Sequence, residues 1–265
     1  MTDTNIGALR TSLEDQGVRY ALASYVDMHG VSKSKVVPIA HLDRMMAGSE
    51  LCTGAALDGV PQDVSDEEVS PRPDADSVMI LPWRKDVAWF ASDLYCEGEP
   101  FEPCNRGIFK RVLKQAADMG FTFNFGIEPE FFLLKRTEDG GYEPIGPRDD
   151  MAKPAYDIRS TLDSFEMLEL IVRELNGLGY DVYSYDHEDG NGQFEIDFNY
   201  ADGLTMADRF VFFRLLLGEL AHAHGYFACF MPKPFNDRAG SGAHYNMSLA
   251  DVNTGKNLFA DATDA

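Results

Sequence analysis

Basic residues are the first thing this sequence is short of. Lys and Arg total 23 against 44 Asp and Glu in 265 residues, a formal net charge of 23 − 44 = −21. A field of that sign repels phosphate backbones and anionic lipid, which argues against nucleic-acid and membrane partners. It is compatible with cation binding, although a solvated acidic surface suited to high salt is the plainer reading of the bulk charge. Cysteine is scarce too. Cys52, Cys96, Cys104 and Cys229 show no CxxC spacing, so they read as structural thiols in a reducing cytoplasm rather than as a zinc site. The opening residues lack the basic segment and apolar core of a secretory leader. No apolar run is long enough for a membrane span, since "RFVFFRLLLGELAHAHG" is interrupted by Arg214 and Glu219. There is no internal repeat. These absences predict a soluble cytoplasmic protein of one large domain or two ordinary ones.

The pattern of what is present predicts an α+β fold. Residues 4–16 read as a short amphipathic helix, followed by two strands around a turn at Gly30, a short helix in "AHLDRMMAG", and strands in "SVMILPW" and "DVAWFASDLY". The intervening "LDGVPQDVSDEEVSPRPDAD" is acidic, bears prolines and has no period, which predicts a loop or flap. A boundary is expected at "CEGEPFEPCNRG", dividing residues 1–100 from 101–265. Beyond it, apolar spacing predicts three helices. The first carries Ile108, Val112, Leu113 and Ala116; the second carries Leu162, Phe165, Leu168, Val172 and Leu175; the third is capped by Thr205 and stops at Gly225. Strands alternate with them, many able to hairpin, so helices packed on a mainly antiparallel sheet are expected.

Acids in apolar surroundings carry the functional signal. In "FGIEPEFFLL", Glu128 and Glu130 flank Pro129, and alternate residues of a strand share a face about 6.6 Å apart. The proline confines this segment to a sheet edge, a strand start or a bulge. In "HEDGNGQFEIDF", Glu195, Asp197 and Asn199 alternate with Ile196 and Phe198, and a turn at Gly190–Gly192 brings Glu188 back beside Glu195. In "NDRAGSGAHYNMSL", a glycine-rich loop enters a strand where His244, Asn246 and Ser248 share a face. An exposed face in a very acidic protein explains any one of these; three polar stripes beside apolar residues predict one shared site. Carboxylates converging on a face repel unless a cation lies between them. Four carboxylates and an imidazole suit Mg²⁺ or Mn²⁺, and two such ions together serve phosphoryl transfer.

These residues resemble the glutamine synthetase family. "GIEPEFFL", "DHEDGNGQFEI" and "MPKPFNDRAGSGAHYNMSL" are similar, in order and spacing, to three motifs of its catalytic domain. "LDGV" and "PRPDADSVMILPW" resemble its N-terminal loop and strand. The resemblance implies a β-grasp-like N-terminal domain before the first part of the catalytic domain, and a homo-oligomeric double ring with active sites between subunits. It implies an ATP-dependent ligase that phosphorylates the γ-carboxylate of L-glutamate and lets an amine displace the phosphate. By motif position it makes Glu130, Glu188 and Glu195 ligands of the ion near glutamate, and Glu128 and His244 ligands of the ion near ATP. Gly240 falls where backbone contacts glutamate. Ser248, Tyr200 and Asn246 fall in the nucleotide region, and Asp58 matches an aspartate that binds and deprotonates ammonium at a neighbouring subunit's site.

The sequence departs from the family pattern at three places. Ala239 replaces an Asn before Gly-Ser-Gly, Asn246 replaces a second histidine, and Val60 replaces the Ser after Asp58-Gly59. An apolar residue beside an ammonium site accommodates a methyl group, so methylamine stands beside ammonia as the nucleophile. The family's later arginines and its last metal-ligand glutamate have no counterpart here, which predicts a piece of a longer enzyme that alone binds metal weakly and turns over little or nothing. The competing reading is a ring scaffold without catalysis.

Overall fold

Residues 3–261, those described by the computed structural model, form two units divided between Gly120 and Phe121. In the first, helix α1 (Asp3–Asp15) precedes the hairpin β1 (Tyr20–Val26) and β2 (Ser32–Pro38). Helix α2 (Leu42–Met46), β3 (Val69–Pro73), β4 (Met79–Leu81), β5 (Arg84–Cys96), β6 (Glu99–Pro100) and α3 (Asn105–Asp118) follow. The sheet runs β2-β1-β5-β3; β1 and β5 are parallel and the other pairs antiparallel, the β-grasp-like arrangement that the resemblance implies. Leu13 of α1 and Leu42 and Met45 of α2 pack with Ala21, Ala23 and Phe90 of the sheet.

Strand β3 corrects the reading of residues 57–76 as loop throughout. "VSPRP" pairs with β5 from Val69↔Cys96 to Pro73↔Ser92 at the end of the sheet, where prolines on the unpaired side forfeit no ladder bond. The predicted apolar stripe of α3 is also not core: Ile108 is 42% and Val112 52% exposed.

The second unit is built on one long strand, β7 (Phe121–Arg136). After it come β8 (Tyr142–Pro144), α4 (Ile158–Asp163), α5 (Phe165–Gly177), β9 (Val182–His187) and β10 (Gln193–Phe198). Then β11 (Ala201–Asp202), α6 (Gly203–Ala223), β12 (Phe227–Cys229) and β13 (Ala243–Asp251) complete it. All pairings are antiparallel: β9 pairs with β10, and β8, β10, β11, β12 and β13 all pair with β7. Pro129 sits inside this central strand, not at an edge. The amide of Glu130 donates to Gly242 on the β13 side, so position 129 turns its nitrogen the other way. There β10 has ended at Glu130 and β11 begins only at Phe125. The missing N–H therefore falls in a gap of the ladder.

Behind the sheet lies an aromatic core of Phe131, Phe198, Phe213 and Phe230, with ring centroids 5.7–6.2 Å apart. Two helix details differ from the sequence reading. Asp202, rather than Thr205, caps α6, its carboxylate accepting from the Thr205 amide. The single helix expected over 160–179 is broken at Ser164, and the buried residues of α5 are Met167, Leu168, Ile171 and Leu175. Leu162 and Phe165, given to the same apolar face, are 59% and 43% exposed, because the break turns that face away from the core. Leu168→Ala should therefore cost about 2–5 kcal/mol in chemical denaturation, and Leu162→Ala less than about 0.5 kcal/mol. Equal losses would contradict the break.

Candidate active site

Strand register sets the site. Glu130 on β7 lies directly opposite Glu195 on β10, and Glu195 lies directly opposite Asp186 on β9. Three carboxylates thus stand in a row across three strands, with directly opposed Cβ atoms about 4.5–5.5 Å apart. On the other side of β7, Glu128 is opposite His244 of β13. The back of β10 is apolar, with Ile196 0% and Phe198 2% exposed, so the strand cannot slip by one residue without burying its acids. Asn199, expected to continue the polar face, leaves it after a bulge between Asp197 and Phe198 and hydrogen-bonds Asp181 instead.

Three groupings of ligand atoms, each within 4.8 Å, arise from this register: Glu128–Glu195–His244, Glu130–Glu188–Glu195 and Asp186–Glu195–Asp197. Glu195 belongs to all three, so it reaches both the nucleotide-side and the glutamate-side residues that the resemblance keeps apart. Asp186 is the acid that sequence reading missed; its signal was the spacing of Asp186 and Glu188 two residues apart on the β9 side. Burial first, then Asp197, Glu188, Asp186 and Glu128, push the Glu195 carboxyl up to about 8. Burial and then Glu128 raise Asp197 to about 6, and burial followed by Glu188 raises Asp186. Glu195 Oε2 and Asp197 Oδ1 are buried without a hydrogen-bond partner. Unpartnered carboxylate oxygens in a crowded acidic site are what a hard divalent cation would satisfy, and the residues fit one.

A hydrogen-bonded frame fixes the other side chains. Gln193, fully buried, donates from Nε2 to Glu130 Oε2 at 2.8 Å, to the Gly240 carbonyl at 3.0 Å and to Ser241 Oγ at 3.3 Å, while its Oε1 accepts from Gly190 at 2.9 Å. It ties the glycine loop to the carboxylate row, a role unassigned from sequence. Gly242 lies so close that a Cβ there would come within 2.7 Å of Glu130 Oε1. Beside Glu130 opens a cavity of about 250 Å³, lined by Phe210, Arg214, Phe230, Pro232 and the glycine loop. Asn246 donates from Nδ2 to Glu128 Oε1 at 2.6 Å, and His244 Nδ1 lies 3.3 Å from Glu128 Oε2.

The turn that returns Glu188 to Glu195 relies on glycine twice. Gly192 has φ +81°, and a Cβ on Gly190 would lie 2.9 Å from the Phe132 ring. His187, fully buried beside Glu188, bonds Asp149 through Nε2 at 2.8 Å and the Glu188 carbonyl through Nδ1 at 2.7 Å. Burial alone would raise the Asp149 carboxyl, but bonds from His187 and Asn191 hold it below its ordinary value.

Neither Ser248 nor Tyr200 belongs to the three groupings of ligand atoms. Ser248 is on β13 opposite Asn124, beyond Asn246 on the same strand. Tyr200, 66% exposed, borders Gly126 of β7. Asp58 belongs to the first unit, after a 3-10 turn at Gly54–Ala56; its carboxylate is 71% exposed and lies 3.9 Å from His29 Nε2. Val60, two residues on, is half-buried, and its side chain packs against the cluster of Tyr25, Val69, Leu94 and Cys104. Among the described residues no helix is long and apolar enough to cross a membrane, and all four cysteines are free.

An antiparallel sheet with packed helices, carrying an oxygen-rich site suited to hard cations, defines the class of this protein. Residues 102–265 match the family model described as glutamine synthetase, catalytic domain, and the chain belongs to that family. It is 38% identical over 253 residues to the glutamate–methylamine ligase of Methyloversatilis universalis, covering 95% of this chain and 57% of that protein. It is 36% identical over 255 residues to the glutamine synthetase of Rhizobium meliloti, covering 96% and 57%. Among solved structures, "GmaS/ADP complex-Conformation 1" superimposes with a TM-score of 0.91 at 36% identity, covering 98% of this chain and 58% of that one. The chain thus spans just over half the length of these relatives.

A carboxyl raised in the folded state keeps its proton longer there than in the unfolded chain. The Glu195 contribution to stability is therefore full below its ordinary value of 4.5 and is lost as pH rises through about 8. Thermal melts of the metal-free chain should show Tm falling across that window, and Glu195→Gln should flatten the fall. An unchanged slope in the variant would contradict the assignment.

Proposed function

We propose that this chain belongs to an ATP-dependent ligase that joins the γ-carboxylate of L-glutamate to ammonia or a small alkylamine through γ-glutamyl phosphate. The observation that supports it most is the shared row of carboxylates, with buried and unpartnered oxygens, on two of the family-like motifs, joined by His244 of the third. Glu130, Glu188 and Glu195 would hold one Mg²⁺ or Mn²⁺, and Glu128 and His244 the other, with Glu195 close to both. Bound there, the ions would offset the charge of the transferring phosphate. Family membership also underlies the choice of ATP as co-substrate and of Ser248, Asn246 and Tyr200 for its nucleotide. The loop of Gly240 and Gly242, tied by Gln193 to Glu130, would present backbone to glutamate at the cavity beside that residue. Asp58 would stabilise an ammonium or alkylammonium ion and accept its proton, from one subunit to the next in a double ring. We place the protein in the cytoplasm, in keeping with its charge and free thiols.

Similarity does not choose the amine, since a methylamine ligase and a glutamine synthetase match almost equally. The 265 residues alone are expected to turn over little, because the relatives extend far beyond the matched region. The test is ADP release that depends on both glutamate and an amine, with ammonia and methylamine at equal free-base concentration. It is made on the chain alone and on the chain extended by the remaining part of a family catalytic domain, the part that the relatives carry beyond the matched region. In the active form, Glu130→Gln should lower kcat at saturating nucleotide by about tenfold or more. Glu128→Gln should chiefly raise KM for the metal–nucleotide by a similar factor. Indistinguishable defects would sink this division of roles, and metal binding without amine-dependent turnover in any form would favour the ring scaffold.

A further inference from the structure

Asp149 lies in the loop between β8 and α4, on none of the strands that carry the carboxylate row. Its side chain is 1% exposed, and a carboxylate so deeply buried needs partners. It takes them from one segment, residues 187–192. Oδ2 accepts from His187 Nε2 at 2.8 Å and from the Gly192 amide, and Oδ1 accepts from Asn191 Nδ2 at 3.0 Å. That segment carries Glu188. The second ring nitrogen of His187 reaches the Glu188 carbonyl at 2.7 Å. Both partners of the imidazole only accept, so both of its nitrogens donate, and the ring is a rigid strut between the backbone of Glu188 and a buried anion. The His187 carbonyl is held in turn by the Tyr156 amide at 2.8 Å, and the Glu188 amide by the Gln193 carbonyl at 2.9 Å.

We propose that Asp149 is a positioning residue that, through His187 and the Gly192 amide, clamps the β9–β10 turn and so presents the Glu188 carboxylate to a divalent cation. The proposal rests on the cation reading above. Asp149 touches no reacting atom and acts through the turn alone. Glu188 needs such a clamp more than its neighbours, because it lies outside β9, where the one bond from its amide to the Gln193 carbonyl stands in for the continuous ladder that fixes Glu130 and Glu195. Groups that orient metal ligands in this way typically alter metal affinity by about tenfold to a hundredfold when removed.

The test is Mn²⁺ titration calorimetry on the 265-residue chain, its Glu188→Gln and Asp149→Asn variants, and the double variant. Asp149→Asn puts a donor where an acceptor is required. Each single change should weaken Mn²⁺ binding about tenfold or more, and the double variant should bind no more weakly than Glu188→Gln alone. Additive losses would show a general loosening of the fold and overturn the clamp. Binding weakened by Glu188→Gln but untouched by Asp149→Asn would overturn the clamp while leaving the cation reading intact. Failure of the unmodified chain to bind Mn²⁺, or indifference to Glu188→Gln, would overturn the cation reading and the clamp with it. Should circular dichroism show Asp149→Asn unfolded, His187→Gln takes its place in the same cycle, with the same outcomes.

Discussion

The second unit depends on one electrostatic conflict: Glu130, Glu195 and Asp186 stand directly opposite one another across three adjacent strands. Like charges in directly opposed positions destabilise a sheet, and here Glu128, Asp197 and Glu188 crowd the same face. Nothing in strand geometry asks for this. The apolar backs of the strands hold it in place, since Phe131, Ile196 and Phe198 are buried and lock the register that brings the acids together. Without a cation the conflict is relieved by protonation, which is the meaning of a Glu195 carboxyl pushed up to about 8. With a cation it becomes attraction. One arrangement is thus unfavourable for folding and favourable for metal binding.

The loops then specify the site more finely than the strands do. Gln193 joins the carboxylate row to the glycine loop, and Gly242 lets that loop approach so closely that a Cβ there would force the Glu130 carboxylate to shift. On the opposite flank, Asp149 and His187 give the β9–β10 turn the rigidity that a ladder gives the strands. Polar groups buried this way are costly unless every one is satisfied, and these two networks satisfy theirs. Within the acidic cluster, Glu195 and Asp197 each keep a buried oxygen without a partner, where a ligand is expected.

Much of this was legible in the sequence because it rests on period and spacing. Alternation in "FGIEPEFFLL" and "QFEIDF" put the acids on one face, and the glycines between Glu188 and Glu195 announced their return turn. What escaped depended on partners far along the chain. Strand β3 was hidden because its prolines and acidic approach read as loop, and its pairing with β5 is visible only in three dimensions. The break at Ser164 does not interrupt the apolar pattern, so one helix was expected where two form. Asp186 gains its place only through the register with Glu195, and Asp149 lies 38 residues from the histidine it holds.

The central claim is that the carboxylate row exists to surround cations. Anomalous diffraction from crystals of the chain grown with Mn²⁺ would address it directly. The account predicts anomalous density among Glu130, Glu188 and Glu195, and beside Glu128 and His244, with Glu195 within reach of both positions. Crystals that take up Mn²⁺ only at other surface acids, leaving these oxygens facing water, would contradict it.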